Sequence, residues 1–145
     1  MKSISYNFEG IEAILSDEMF AAHQLIKNAL RNLGYARMSG PLVIAVKSAA
    51  TGIEAGTLLS VQDSGTGIAH DKLPEIFKGY TTGGTGLGLQ IVRRIIELRS
   101  GYIHVESAEI GKPNYAYDTR RAKVSLAERS RDHGTSFTLH FPKLT

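Results

Sequence analysis

Three glycines separated by single residues, Gly84, Gly86 and Gly88, run straight into an apolar-periodic stretch that begins at Leu89. Glycines lack side chains, so backbone N–H groups can close on an anion, and a helix starting directly after them adds the partial positive charge of its N-terminus. The segment Gly84-Thr85-Gly86-Leu87-Gly88-Leu89 therefore has the chemistry of a phosphate cradle. Spacing excludes two other phosphate-binding patterns. The dinucleotide fingerprint needs glycine where Leu89 stands, and the P-loop needs Gly-Lys-Ser or Gly-Lys-Thr, which occurs nowhere in the chain.

A carboxylate follows a β-rich run in Asp63-Ser64-Gly65-Thr66-Gly67-Ile68, with two glycines where backbone must turn or approach a ligand. An aspartate so placed can accept the amino hydrogen of a base; the same hexapeptide also suits an ordinary β-turn. Upstream, Gln24, Asn28 and Arg31 fall at i, i+4 and i+7 of a helical pattern and line one face opposite its apolar stripe. Such a face is usually only solvated, so it carries chemical information only beside the two glycine-rich segments.

Regular elements must position these groups. Ile4, Tyr6 and Phe8 alternate with polar partners and predict an edge strand over Ser3 to Phe8. Leu25, Ala29 and Leu33, with Ile26 and Leu30, predict a helix from Asp17 to Leu33. After the breaker Ser39-Gly40-Pro41, the runs Leu42 to Lys47 and Thr57 to Gln62 predict a hairpin. A short helical patch is expected around Asp71 to Phe77, and a second long helix from Leu89 to Leu98 through Val92, Ile95 and Ile96. Strands are expected over Tyr102 to Glu106 and Ser136 to Phe141. Between them Lys112 to Asp132 is too long for an ordinary hairpin loop, and its stretch Arg120 to Arg129 has the composition of a short basic helix on a surface insertion.

In this order the segments resemble the catalytic domains of sensor histidine kinases, a Bergerat-type fold shared with DNA gyrase and the mitochondrial dehydrogenase kinases. Gln24 to Arg31 is similar to that family's N box. The resemblance implies that Asn28 holds Mg2+, that Lys27 and Arg31 offset phosphate charge, and that Gln24 stands where hydrolysing relatives carry a glutamate base. Asp63, Gly65 and Gly67 match the G1 box, which implies that Asp63, with Ile68 beside it, recognises the adenine amino group. Ile76-Phe77-Lys78-Gly79-Tyr80 resembles the F box, with Tyr80 in place of a second aromatic, and Gly84 to Leu89 resembles the G2 box. Gly134-Thr135-Ser136-Phe137 is similar to the family's GTxF, whose threonine lies by the adenine. Thr81, Thr82 and Gly83 alone separate Tyr80 from the G2 glycines, so the lid over the nucleotide is short.

The resemblance implies an α/β (α+β) two-layer sandwich, with a mixed, mainly antiparallel sheet packed against about three helices. It implies ATP and Mg2+ as cofactors, and γ-phosphate transfer to a histidine on a separate dimerisation domain with a response regulator downstream. An amide such as Gln24 cannot act as a general base, which disfavours hydrolysis but not phosphorylation of a histidine that brings its own nucleophilic nitrogen. His23 lies in the nucleotide-facing helix, and His70, His104, His133 and His140 fall in loop or strand contexts, so the acceptor is expected outside this chain. A serine/threonine protein kinase of the same fold and a non-catalytic ATP-binding regulatory module remain open.

Composition agrees with one soluble domain over residues 1–145. Hydrophobic residues make up 42% and charged residues 21%, with no apolar run of bilayer length, so direct membrane contact is not expected. A net charge of +3 suits a polyphosphate site without indicating nucleic acid. The first ten residues lack a secretory core and the chain has no cysteine, which fits a cytoplasmic setting and leaves a membrane anchor in a longer parent protein open.

Overall fold

The structure is a computed structural model that describes residues 3–7, 16–35, 41–49, 55–78, 87–127 and 133–143. Its elements are β1 (Ser3–Asn7), α1 (Ser16–Tyr35), β2 (Pro41–Ala49), β3 (Gly56–Asp63), a 3-10 turn (Leu73–Glu75), α2 (Leu87–Leu98), β4 (Tyr102–Ala108), β5 (Asn114–Asp118), β6 (Lys123–Leu126) and β7 (Gly134–Pro142). The strands form one sheet in the order β1-β2-β3-β7-β4-β5-β6. β1 runs parallel to β2 at one edge, and every other described pair is antiparallel.

One face of this sheet is apolar because its strands alternate. Leu59 and Val61 of β3 lie level with Leu139 and Phe137 of β7, which lie level with Ile103 and Val105 of β4. These six and the helix residues Leu25, Ala29, Leu89, Val92 and Ile96 make one buried core. The apolar stripe of each helix thus settles on the apolar face of the sheet, giving the expected two-layer sandwich. Ile103 and Leu139 are fully buried, and truncating either to alanine would cost roughly 2–5 kcal/mol. α2 stops at a Schellman motif: Ser100 takes φ 58°, its N–H reaches the Glu97 carbonyl at 3.1 Å, and the Gly101 N–H reaches Ile96 at 2.9 Å.

The predicted hairpin is β2 and β3, paired from Val43–Gln62 to Ala49–Gly56. Two expectations need correction. The patch around Asp71 to Phe77 contracts to a 3-10 turn with Pro74 in its first turn and Leu73 buried. The Lys112 to Asp132 segment is not a basic helix where it is described: between the paired strands β4 and β7 it forms β5 and the largely exposed β6, which extend the sheet beyond β4. The reason lies in Tyr115 and Tyr117, spaced two apart, which put both rings on the core side. Asp118 then makes the turn, its Oδ1 accepting the Arg120 N–H at 2.8 Å, and Ala122 takes φ 51°.

Candidate functional site

At one end of the sheet, four residues stand in a row across adjacent strands: Asp63 opposite Thr135, Thr135 opposite Ser107, and Ser107 opposite Tyr115. Asp63, Thr135 and Ser107 are 3%, 1% and 0% exposed. Such polar burial persists only with hydrogen-bond partners, and they are present. Asp63 Oδ1 accepts the Gly65 N–H at 2.8 Å, closing an Asx turn directly after β3. Ser107 Oγ accepts the Ile68 N–H at 2.7 Å and lies 2.8 Å from Thr135 Oγ1 and 3.1 Å from the Gly134 carbonyl. One hydroxyl has one hydrogen, so the assignment satisfying all three contacts has Ser107 donating to Gly134 and accepting from Thr135 and Ile68.

The turn between Asp63 and Ile68 is pressed onto its neighbours. Gly67 has φ 79°, and a Cβ there would overlap the Ala108 carbonyl at the end of β4. Only glycine allows this approach. From the other side His133 Nδ1 lies 2.7 Å from the Gly65 carbonyl. A carbonyl only accepts, so Nδ1 carries the hydrogen. Ser107 and His133 were missed by sequence reasoning, because neither belongs to a spaced motif; only the strand register brings them to Asp63.

On the helix side, Gln24 and Asn28 are both half-buried on α1, one turn apart, next to the buried stripe of Ala21, Leu25 and Ala29. Lys27 is exposed, and the Arg31 side chain lies outside the described residues. α2 begins at Leu87, so Gly88 falls in its first turn and Leu89 is buried in the core. Gln24 Oε1 is 2.6 Å from where a Cβ on Gly88 would be. The predicted phosphate segment and the Gln24 face are therefore neighbours at the start of α2. Phe77 is 3% exposed and packs against Phe137 and Tyr117 at centroid distances of 6.5 and 6.3 Å, with Arg93 5.8 Å from its ring. Gly79, Tyr80, Thr81, Thr82, Gly83, Gly84, Thr85 and Gly86, and the Leu87 side chain, lie outside the described residues.

Further charged groups lie on the sheet face away from the helices. His104 has Nε2 at 3.2 Å from Glu106 Oε2 and Nδ1 at 3.4 Å from Asp118 Oδ2. Burial by itself would raise the Asp118 carboxyl, but two guanidinium bonds from Arg120 at 2.9 and 2.6 Å, its backbone N–H and its charge, with help from His104, hold it below its ordinary value. Surface clefts of about 320 Å³ between Gln90, Arg93 and Glu97 and about 250 Å³ between Ile68, His70 and Lys112 include neither Asp63 nor Thr135. His70 precedes Asp71 and Pro74 but stands in a turn, stacked on Tyr115, not on a helical hairpin. Among the described residues, no group of three or more His, Asp or Glu side chains is placed to hold a metal.

The sequence matches the family described as "Histidine kinase-, DNA gyrase B-, and HSP90-like ATPase" over residues 17–145. It is 49% identical over 70 residues to the sensor histidine kinase ZraS of Escherichia coli K12, covering 46% of this chain and 15% of that protein. The virulence sensor protein BvgS of Bordetella pertussis is 31% identical over 131 residues, covering 83% of this chain and 10% of its own length. In fold, the full-length ShkA structure in complex with AMPPNP superposes with a TM-score of 0.62 at 22% identity, over 97% of this chain and 25% of that one. The mycobacterial sensor histidine kinase MprB gives 0.61 at 17% identity, over 97% and 79%.

Proposed function

Because this chain belongs to the histidine kinase-, DNA gyrase B- and HSP90-like ATPase family, we propose that it is the ATP-binding catalytic domain of a sensor histidine kinase. Residues 1–145 would form one domain that holds Mg-ATP and passes the γ-phosphoryl group to a histidine on a separate dimerisation domain, with a response regulator downstream. The observation that carries this reading is the buried Asp63, held by the Gly65 N–H and standing in one row with Thr135 and Ser107. A carboxylate in that position accepts the exocyclic amino hydrogen of adenine, and Thr135 completes the base pocket.

From this floor the nucleotide would extend between α1 and the start of α2. Backbone N–H groups of the G2 segment and the N-terminal end of α2 supply fixed positive charge to the triphosphate. Lys27 and Arg31 would add positive charge. The Asn28 carboxamide offers a single hard oxygen, which suits Mg2+, an ion that keeps several waters and takes its remaining oxygens from substrate phosphates. Bound there, Mg2+ would neutralise charge on the phosphate oxygens. In the transfer step the acceptor nitrogen bonds to γ-phosphorus, the bond to the bridging oxygen breaks, and ADP leaves; positioning and charge neutralisation supply most of the rate. Gln24, an amide, withdraws no proton from water, which favours transfer over hydrolysis.

Calorimetric titration with ATP, with and without Mg2+, tests the reading, with Asp63→Asn as control. Magnesium-dependent binding that disappears in the variant is expected; equal binding by both proteins would sink the assignment.

A further inference from the structure

The chain between β4 and β7 reads in sequence as an interruption over Lys112 to Asp132, yet its described parts converge on the loop that follows β3. At its far end His133 donates to the Gly65 carbonyl at 2.7 Å. In its first strand Tyr115 stacks on His70, with centroids 4.7 Å apart and planes at 27°. Tyr117 packs on Phe77 at 6.3 Å, and β6 lies beside the 3-10 turn. The register adds a further link, since Tyr115 stands opposite Ser107, extending the row of Asp63, Thr135 and Ser107 by one strand. A hairpin that served only as solvated surface would place polar residues on this loop, not the two aromatic rings of Tyr115 and Tyr117.

The Gly65 peptide is the junction. Its N–H is tied to the Asp63 carboxylate and its carbonyl to His133, so the turn that orients the carboxylate is gripped from both sides. We propose that β5 and His133, the residue directly before β7, together position the base-recognition loop, His133 acting on Asp63 through its bond to Gly65 and Tyr115 of β5 acting on the rest of the loop through His70. The inference rests on the nucleotide-binding reading above and extends it: the inserted segment sets how strictly the site selects a 6-aminopurine.

Inosine triphosphate differs from ATP chiefly by an oxo group in place of the amino group that Asp63 would recognise, so the ratio of the two affinities reads Asp63 directly. In His133→Ala the ATP preference should fall roughly tenfold, the scale of one lost positioning hydrogen bond. His133→Gln, which returns an N–H donor, should recover most of it. Tyr115→Ala should lower the preference by about threefold while keeping the His133 bond. Thermal melts accompany each titration, so that a variant that fails to fold is recognised and Tyr115→Ala then carries the test. An unchanged ratio in the folded variants overturns the proposal, as does an equal loss of both affinities, which marks a purely structural hairpin. A native chain that binds neither nucleotide defeats the nucleotide-binding reading itself and takes this inference with it.

Discussion

Gln24 on α1 and Gly88 in the first turn of α2 meet so closely that Gln24 Oε1 lies 2.6 Å from the place of a β-carbon on Gly88. The first predicted site helix and the start of the second are joined at this point, on the side where the triphosphate would lie. Gly88→Ala separates packing from function. The Gln24 amide sits at the end of a flexible side chain and can swing away, and alanine is favoured over glycine in a helix by about 1 kcal/mol. The melting temperature should hold or rise while Mg-ATP affinity falls roughly tenfold. Recovery in the Gly88→Ala, Gln24→Ala double variant would trace the loss to the displaced amide.

Ser107 has no contact with solvent and serves three partners, so Ser107→Ala leaves the Ile68 N–H and the Thr135 hydroxyl without their common acceptor. The expected cost is about 1–3 kcal/mol in chemical denaturation. Nucleotide binding should weaken in parallel, because Thr135 is one of the two residues assigned to the base. A fully stable variant with native binding would show that this hydroxyl is dispensable.

Glu18 and Arg99 tie the first turn of α1 to the end of α2 through a 2.9 Å bond, with side chains 2% and 15% exposed, and Arg99 lies 5.3 Å from the centre of the Phe141 ring. Removing Glu18 takes a charge-assisted bond from a largely buried guanidinium. Glu18→Ala should therefore cost about 1–3 kcal/mol, whereas Glu18→Leu combined with Arg99→Met should restore most of the stability. Equilibrium unfolding of the two proteins decides the matter, and equal losses in both would count against an electrostatic cause.

Asp118 supplies a pH test. Its carboxyl ionises below the ordinary value of 3.8 in the folded chain, so the ion pair with Arg120 contributes stability above that pH and loses it as pH falls through the folded value. Melting curves taken between about pH 5 and pH 2 should show the native chain losing its advantage over Asp118→Asn. Parallel curves for the two proteins would remove Asp118 from the acid response.

The main elements were legible because their patterns agree with their burial. The stripe of Leu25 and Ala29 and the alternation of Leu59 and Val61 each match a face that the fold buries. The β5–β6 hairpin was not read, although Tyr115 and Tyr117 carry its period of two, because its turn holds neither glycine nor asparagine: Asp118 and Ala122 do that work through a side-chain bond and a φ of 51°. The basic stretch from Arg120 instead suggested a helix. At the candidate site, Asp63 and Thr135 were singled out by their motifs, and the strand register sets them side by side. Ser107 and His133 were not, since their roles depend on strand register and on a turn between segments 68 residues apart.

β7 sits in the middle of the sheet, between β3 and β4, although its residues 134–142 come after those of every other strand. The β1-β2-β3 half and the β4-β5-β6 half each pair within themselves and share no described ladder until β7 joins them. On a translating ribosome, both halves leave the exit tunnel before the strand that unites them. Thr135 arrives with that strand, so Asp63 acquires its neighbour only once β7 has emerged. A chain that still lacks β7 therefore has no complete row of Asp63, Thr135 and Ser107, and nucleotide capture at that row would be confined to molecules whose sheet is already whole.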